Sequence, residues 1–214
     1  NQLREKGVGH MLETVPFPTG TVEVTLDGAG IPSYEIRQGV AWDNIPFTPQ
    51  IEELARHTRA ACFGSLAQRS PVSHRTIGRF LETMPDGEGQ YKVFDINLRQ
   101  HFYTQQVVEE SLRKCNILKI NDEELAVVGS MFGLEGMQPG EQCRTLLDRY
   151  GLRIVILTCG AAGSSVFAPD TRSYIPTPRV EVADTVGAGD SFTASFLAAL
   201  LSGLGIGEAH RLAV

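Results

Sequence analysis

Between Pro49 and Thr158 the chain alternates two patterns that few architectures accommodate together. Segments with apolar residues at helical spacing, at 50–57, 72–84, 104–115, 122–131 and 140–150, are interleaved with short continuous apolar runs at 60–66, 92–96, 117–120 and 154–158. An amphipathic helix repeats its apolar residues every three to four positions, whereas an unbroken apolar run reads as a strand covered on both faces. Strands and helices in this rhythm form βαβ units. The expected fold class is therefore α/β, a mostly parallel sheet with helices on both faces. Two stretches depart from the rhythm. At 21–27, Val22, Val24 and Leu26 alternate with Thr21, Glu23, Thr25 and Asp27; turn chemistry follows at Asp27-Gly28-Ala29-Gly30, and alternation resumes through Tyr34 and Ile36. This predicts a hairpin with one wet face. The stretches 164–168 and 172–175 predict a second small hairpin before a final long helix over 191–202.

Composition narrows the function classes. The chain has 214 residues, 42% of them hydrophobic, enough for a sizeable core. Its formal charge is -6, and no block of Lys and Arg could neutralise a run of phosphates, which argues against a nucleic-acid partner. The longest apolar stretch, 194–201, is far shorter than the roughly 18 residues of a membrane span. Cys62, Cys115, Cys143 and Cys159 form no CxxC pair and sit in strand-like surroundings, so a reducing cytoplasm is the expected compartment. The five histidines show no metal-ligand spacing. The chain starts at Asn1, and both ends read as interrupted helices, so a longer parent chain is expected.

In an open α/β sheet ligands bind beyond the carboxyl ends of the strands. Those ends carry Gly64-Ser65, Asp95 with Asn97 and Arg99, Asn121 with Glu124, and Thr158 with Gly160. The sharpest segment is Asp184-Thr185-Val186-Gly187-Ala188-Gly189-Asp190, directly before the last long helix. Two glycines and an alanine leave the backbone bare, so consecutive N–H groups at a helix mouth can surround an anion. A carboxylate there repels such a ligand unless it accepts a proton from an attacking hydroxyl. Asp190 as a plain helix cap is the alternative.

This segment resembles the signature of the ribokinase-like, or PfkB, carbohydrate kinases. Thr19-Gly20-Thr21 with its hairpin, Asp95-Ile96-Asn97-Leu98-Arg99, Asn121-Asp122-Glu123-Glu124 and Thr158-Cys159-Gly160-Ala161-Ala162-Gly163-Ser164 agree with the family in order and spacing. The resemblance implies an ATP-dependent sugar kinase. In it Asp190 is the general base on the acceptor hydroxyl, and the amides of Gly187, Ala188 and Gly189 form the anion hole. Thr158, Gly160 and Gly163 belong to the nucleotide turn, and Arg99 contacts phosphate or sugar. Asn121 and Glu124 match a motif that helps to hold Mg²⁺ and the nucleotide, Glu124 reaching the metal through water; the same pair also reads as a capping box. Asp184, with the Val186 carbonyl, resembles a site for a monovalent cation such as K⁺.

The resemblance also divides the chain into an α/β core of residues 1–18 and 39–214 and a β lid of 19–38, which in related kinases also makes homodimers. A simple extension of the main sheet is the alternative for that hairpin. Gly64-Ser65-Leu66-Ala67-Gln68-Arg69 and Ala41-Trp42-Asp43 look most like bacterial fructokinases, so fructose is the expected acceptor. Trp42 either stacks on a sugar face or packs in the interior, and Arg69 either meets a ligand or sits in a solvated loop. Kinases for 2-keto-3-deoxygluconate, ribose or a nucleoside, and a sugar-binding protein without turnover, are the competing readings.

Overall fold

The computed structural model describes residues 2–26, 32–179 and 187–214. A short helix, α1 (Gln2–Glu5), precedes a hairpin of β1 (Val22–Leu26) and β2 (Pro32–Ile36). The core then runs α2 (Pro49–His57), β3 (Ala60–Phe63), α3 (Pro71–Thr83), β4 (Tyr91–Asp95), α4 (Gln105–Lys114), β5 (Ile117–Asn121), α5 (Asp122–Met131), α6 (Pro139–Tyr150) and β6 (Ile154–Thr158). It closes with β7 (Ser164–Ala168), β8 (Thr171–Ile175), α7 (Ala188–Leu201) and α8 (Ile206–Ala213). Helix starts are written locally. Thr48 and Ser70 each accept a first-turn amide and are followed by proline at the first helical position, which needs no N–H there.

Six strands form one sheet in the order β3-β4-β5-β6-β7-β8; the first four are parallel and the last two antiparallel. Successive residues of a strand point to opposite faces, and the central strands are apolar at both parities. Phe94, Leu118, Ile120, Val155 and Leu157 pack against α4, α5 and α6 on one face. Val93, Ile117, Ile154 and Ile156 pack against Phe192, Phe196 and Leu200 of α7 on the other. This is the ribokinase-like α/β fold.

The hairpin β1–β2 forms its own two-stranded antiparallel sheet, separate from the main one, so it is no simple extension of the core. Residues 2–18 contribute no buried residue. Two boundaries move by three residues. The run 60–66 is not a strand covered on both faces: β3 ends at Phe63, lies at the sheet edge and leaves Cys62 exposed. It ends there because the chain turns across its neighbour, with a Cβ at Gly64 falling 3.1 Å from the Asp95 carbonyl. The last long helix begins at Ala188, three residues earlier than its periodicity implied, with Gly187 as the N-cap.

Candidate active site

The parallel register brings the chemistry-bearing residues to one sheet edge. Phe63 pairs with Phe94, Asp95 with Lys119, and Asn121 with Thr158, so the loops after β3, β4, β5 and β6 leave the sheet side by side. The Ser65 hydroxyl donates to the Asn97 carbonyl at 3.3 Å. Asn97 and Gln100 hold φ of 44° and 49°, and side chains in that region carry strain of about 1–3 kcal/mol that concentrates at functional sites. Asn121 and Glu124 do come together, as a capping box: Asn121 Oδ1 accepts the Glu124 amide at 2.8 Å, and Glu124 Oε2 accepts the Asn121 amide at 3.0 Å. Glu124 Oε1 also accepts the Leu98 amide at 2.9 Å, so this buried carboxylate grips the loop that carries Arg99.

At the mouth of α7, Gly187 is left-handed, with φ 81°, and as the N-cap it has no side chain to offer the helix. The plain-cap alternative for Asp190 therefore fails, because the cap position belongs to Gly187 and Asp190 sits in the first turn. Ala188 and Asp190 are exposed. The first amides of an α-helix have no partner within the helix, so the first turn of α7 carries such donors, with the positive end of the helix dipole, in the same turn as the Asp190 carboxylate.

The structure adds residues that the sequence reading missed. A Cβ at Gly189 would lie 3.0 Å from Lys119 Nζ, so this glycine is bare on the side facing the protein. Lys119 Nζ donates to Asp95 Oδ1 at 3.1 Å, and the Thr193 hydroxyl of α7 donates to Asp95 Oδ2 at 2.9 Å. All three side chains are buried. A signal existed: a lysine inside the apolar run 117–120 has to find a buried counter-charge. Across the same edge Cys62 is exposed as a residue, but the protein around its sulfur desolvates the thiolate, and this together with the negative charges of Asp95 and Asp190 pushes the thiol up to about 11.

Thr158 ends β6, and Gly160 beyond it has φ 49° with open space where a side chain would sit. Gly163 has another reason to be glycine: with φ 110°, its Cβ would fall 2.5 Å from the Ile175 carbonyl at the end of β8. Asp184 and Val186 lie outside the described residues. Arg99 is exposed and lines a cleft of about 500 Å³ with Val22, Tyr34, Ile36 and Gln100, between hairpin and core. Arg69 does not sit in a solvated loop. The Arg69 side chain is buried, 6% exposed, and its guanidinium carbon lies 4.1 Å from the Trp42 ring centroid.

No group of three His, Cys, Asp or Glu that could hold a metal ion occurs among the described residues. Each Glu124 oxygen accepts one backbone amide and keeps a further lone pair, which fits a supporting contact to a metal through water. Among the described residues no helix is long and apolar enough to cross a membrane. The four cysteines are free.

The fold is shared with solved sugar kinases. A sugar kinase of Pyrococcus horikoshii, solved alone and in complex with ATP, superposes with TM-scores of 0.79 and 0.77 at 24% and 23% identity, covering 99% of this chain and 67% and 68% of those. A sequence profile described as pfkB family carbohydrate kinase matches residues 71–214, and the chain belongs to that family. A fructokinase of Rhizobium leguminosarum is 31% identical over 160 residues, covering 72% of this chain and 46% of the relative. A 2-dehydro-3-deoxygluconokinase of Escherichia coli is 32% identical over 164 residues, covering 71% and 50%. The chain thus spans about half the length of these curated relatives.

Proposed function

We propose that this chain carries the phosphoryl-transfer centre of an ATP-dependent sugar kinase, with fructose as the first acceptor to test. The observation that carries the reading is the exposed Asp190 carboxylate in the first turn of α7. In this reading the carboxylate takes the proton of the sugar hydroxyl as its oxygen bonds to the γ-phosphorus of ATP. The bond to the bridging oxygen breaks, and ADP leaves. The backbone from Gly187 to Gly189 and the amides it presents hold the transferring group, and Thr158 and Gly160 leave room for the nucleotide phosphates. Phosphoryl transfer asks mainly for positioning and charge compensation, which such a helix mouth supplies. Arg99 and the cleft under β1–β2 receive the sugar, with the hairpin as lid and as a surface for pairing two copies.

ATP enters with its Mg²⁺, which offsets phosphate charge. Glu124, held by the Asn121 and Leu98 amides, would support that ion through water. Asp184 would serve a monovalent cation. The test is ADP release across a panel containing fructose, ribose, 2-keto-3-deoxygluconate and nucleosides, with Mg²⁺ present and absent, in this chain and in its full-length parent. Acceptor-dependent ADP release that needs Mg²⁺ supports the reading. Binding of a sugar without turnover by the full-length protein overturns it.

A further inference from the structure

One buried side chain touches every wall of the hairpin's stem. Arg69 follows β3 in a 3-10 turn at Leu66–Arg69. Its Nε and Nη2 donate to the two Asp43 oxygens at 2.8 and 3.0 Å, and Nη2 also donates to the Arg37 carbonyl at 2.5 Å, directly after β2. One face of the guanidinium lies over Trp42, and the carbon is also 4.5 Å from the Phe102 ring centroid. Trp42 in turn backs the start of the hairpin: a Cβ at Gly20 would fall 2.1 Å from its indole nitrogen. Phe102 belongs to the loop of Arg99 and Gln100, and Gln100 Nε2 donates to the Tyr34 carbonyl of β2 at 2.5 Å. The way into the hairpin, the way out of it and the loop that lines the cleft therefore meet at Arg69.

Stability alone does not call for an arginine there. A buried ion pair is often no better than apolar packing of similar volume. Arg69 Nη1 is moreover buried with no hydrogen-bond partner, a desolvation cost that apolar packing avoids. What a guanidinium adds is a rigid planar fork that bonds a carboxylate at two points while stacking on aromatic rings, which lysine cannot reproduce. We propose that Arg69 is a positioning residue that fixes the base of the β1–β2 hairpin against the Arg99 loop and so sets the width of the cleft between them. The proposal rests on the hairpin being the lid of a substrate cleft.

Backbone hydrogen exchange and phosphorylation kinetics test it together, in the intact protein, for Arg69→Lys and for the double variant Arg69→Met/Asp43→Leu, which leaves no unpaired buried charge. Exchange at residues 34–38 and 98–102 is expected to rise about tenfold in both variants, as local opening loses one directed contact, while β4 and β5 keep their protection. The KM for the sugar is expected to rise about tenfold, with the KM for ATP and kcat within about twofold, the pattern of lost substrate positioning. Unchanged exchange at 34–38, or an equal rise throughout the sheet, overturns the proposal, as does full rescue of the sugar KM by lysine. If the unaltered protein phosphorylates none of the acceptors, the kinase reading fails while exchange still decides the role of Arg69.

Discussion

Replacing Lys119 by methionine tests the buried device beneath the α7 mouth. The ammonium stands 3.1 Å from Asp95, with both side chains 10% exposed. At an effective dielectric constant of about 20 that separation corresponds to an attraction of about 5 kcal/mol before desolvation is subtracted. Removing one member of such a pair leaves the other uncompensated and typically costs about 3–5 kcal/mol. For a chain of this size each kcal/mol lowers the melting temperature by about 2–4 °C, so a drop of about 6–20 °C is expected. Urea and thermal unfolding followed by circular dichroism measure both quantities. Asp95→Leu in the same chain removes the stranded charge, and the double variant Lys119→Met/Asp95→Leu is expected to regain most of the lost stability. It is not expected to regain phosphoryl transfer, because Thr193 then has no carboxylate to hold, and the second turn of α7, directly behind its mouth, is no longer tied to the ends of β4 and β5. A single variant that loses less than about 1 kcal/mol, or a double variant no more stable than the single, refutes the reasoning.

Other perturbations separate chemistry from scaffold. Asp190→Asn is expected to lower the phosphorylation rate about 10²-fold or more with little change in stability, as removal of a general base does. The same substitution should bring the Cys62 thiol down from about 11 and speed its alkylation by iodoacetamide at pH 8, a readout that needs no substrate. Gly187→Ala should cost about 1–2 kcal/mol in urea unfolding, because an L side chain is strained at φ 81°. His210, fully buried between the Ser164 and Ser173 hydroxyls, has its pKa lowered from 6.5 by burial. The unfolded chain then binds the proton more readily, so stability present above about pH 6.5 should decline as the pH falls below it, and His210→Gln should flatten that slope.

The parts of the fold that were legible in the sequence are those decided by neighbours along the chain. Periodicity located α5 at 122–131 and β6 at 154–158 without error, and α4 to within one residue at each end. The Asn121–Glu124 box follows from a spacing of three. The parts that were not legible depend on contacts far apart in sequence. Gln68-Arg69-Ser70 reads as a wet loop because all three residues are polar. Arg69 is buried because Asp43, 26 positions earlier, supplies its charge and because Trp42 and Phe102 cover its faces. The edge position of β3 is likewise a property of the assembled sheet, and no apolar count over 60–66 reveals it.

The glycines of the final motif show where the two kinds of information part. From sequence, bare backbone around Ala188 has one meaning, room for a ligand. In the structure each glycine has its own cause: Gly187 reverses the chain into a left-handed N-cap, and Gly189 clears the Lys119 ammonium beneath the helix. These causes reinforce the functional reading. Donors meant for a migrating phosphoryl group are most effective when they are fixed before the charge develops, since they then need no reorganisation during the reaction. The Lys119–Asp95 pair holds the second turn of α7 through Thr193, whose hydroxyl also meets the Gly189 carbonyl of the first turn, from the protein side. Asp190, in the first turn, is exposed. A larger side chain at position 189 would disturb the support and not the opening, so its effect should appear in kcat before it appears in the KM for ATP.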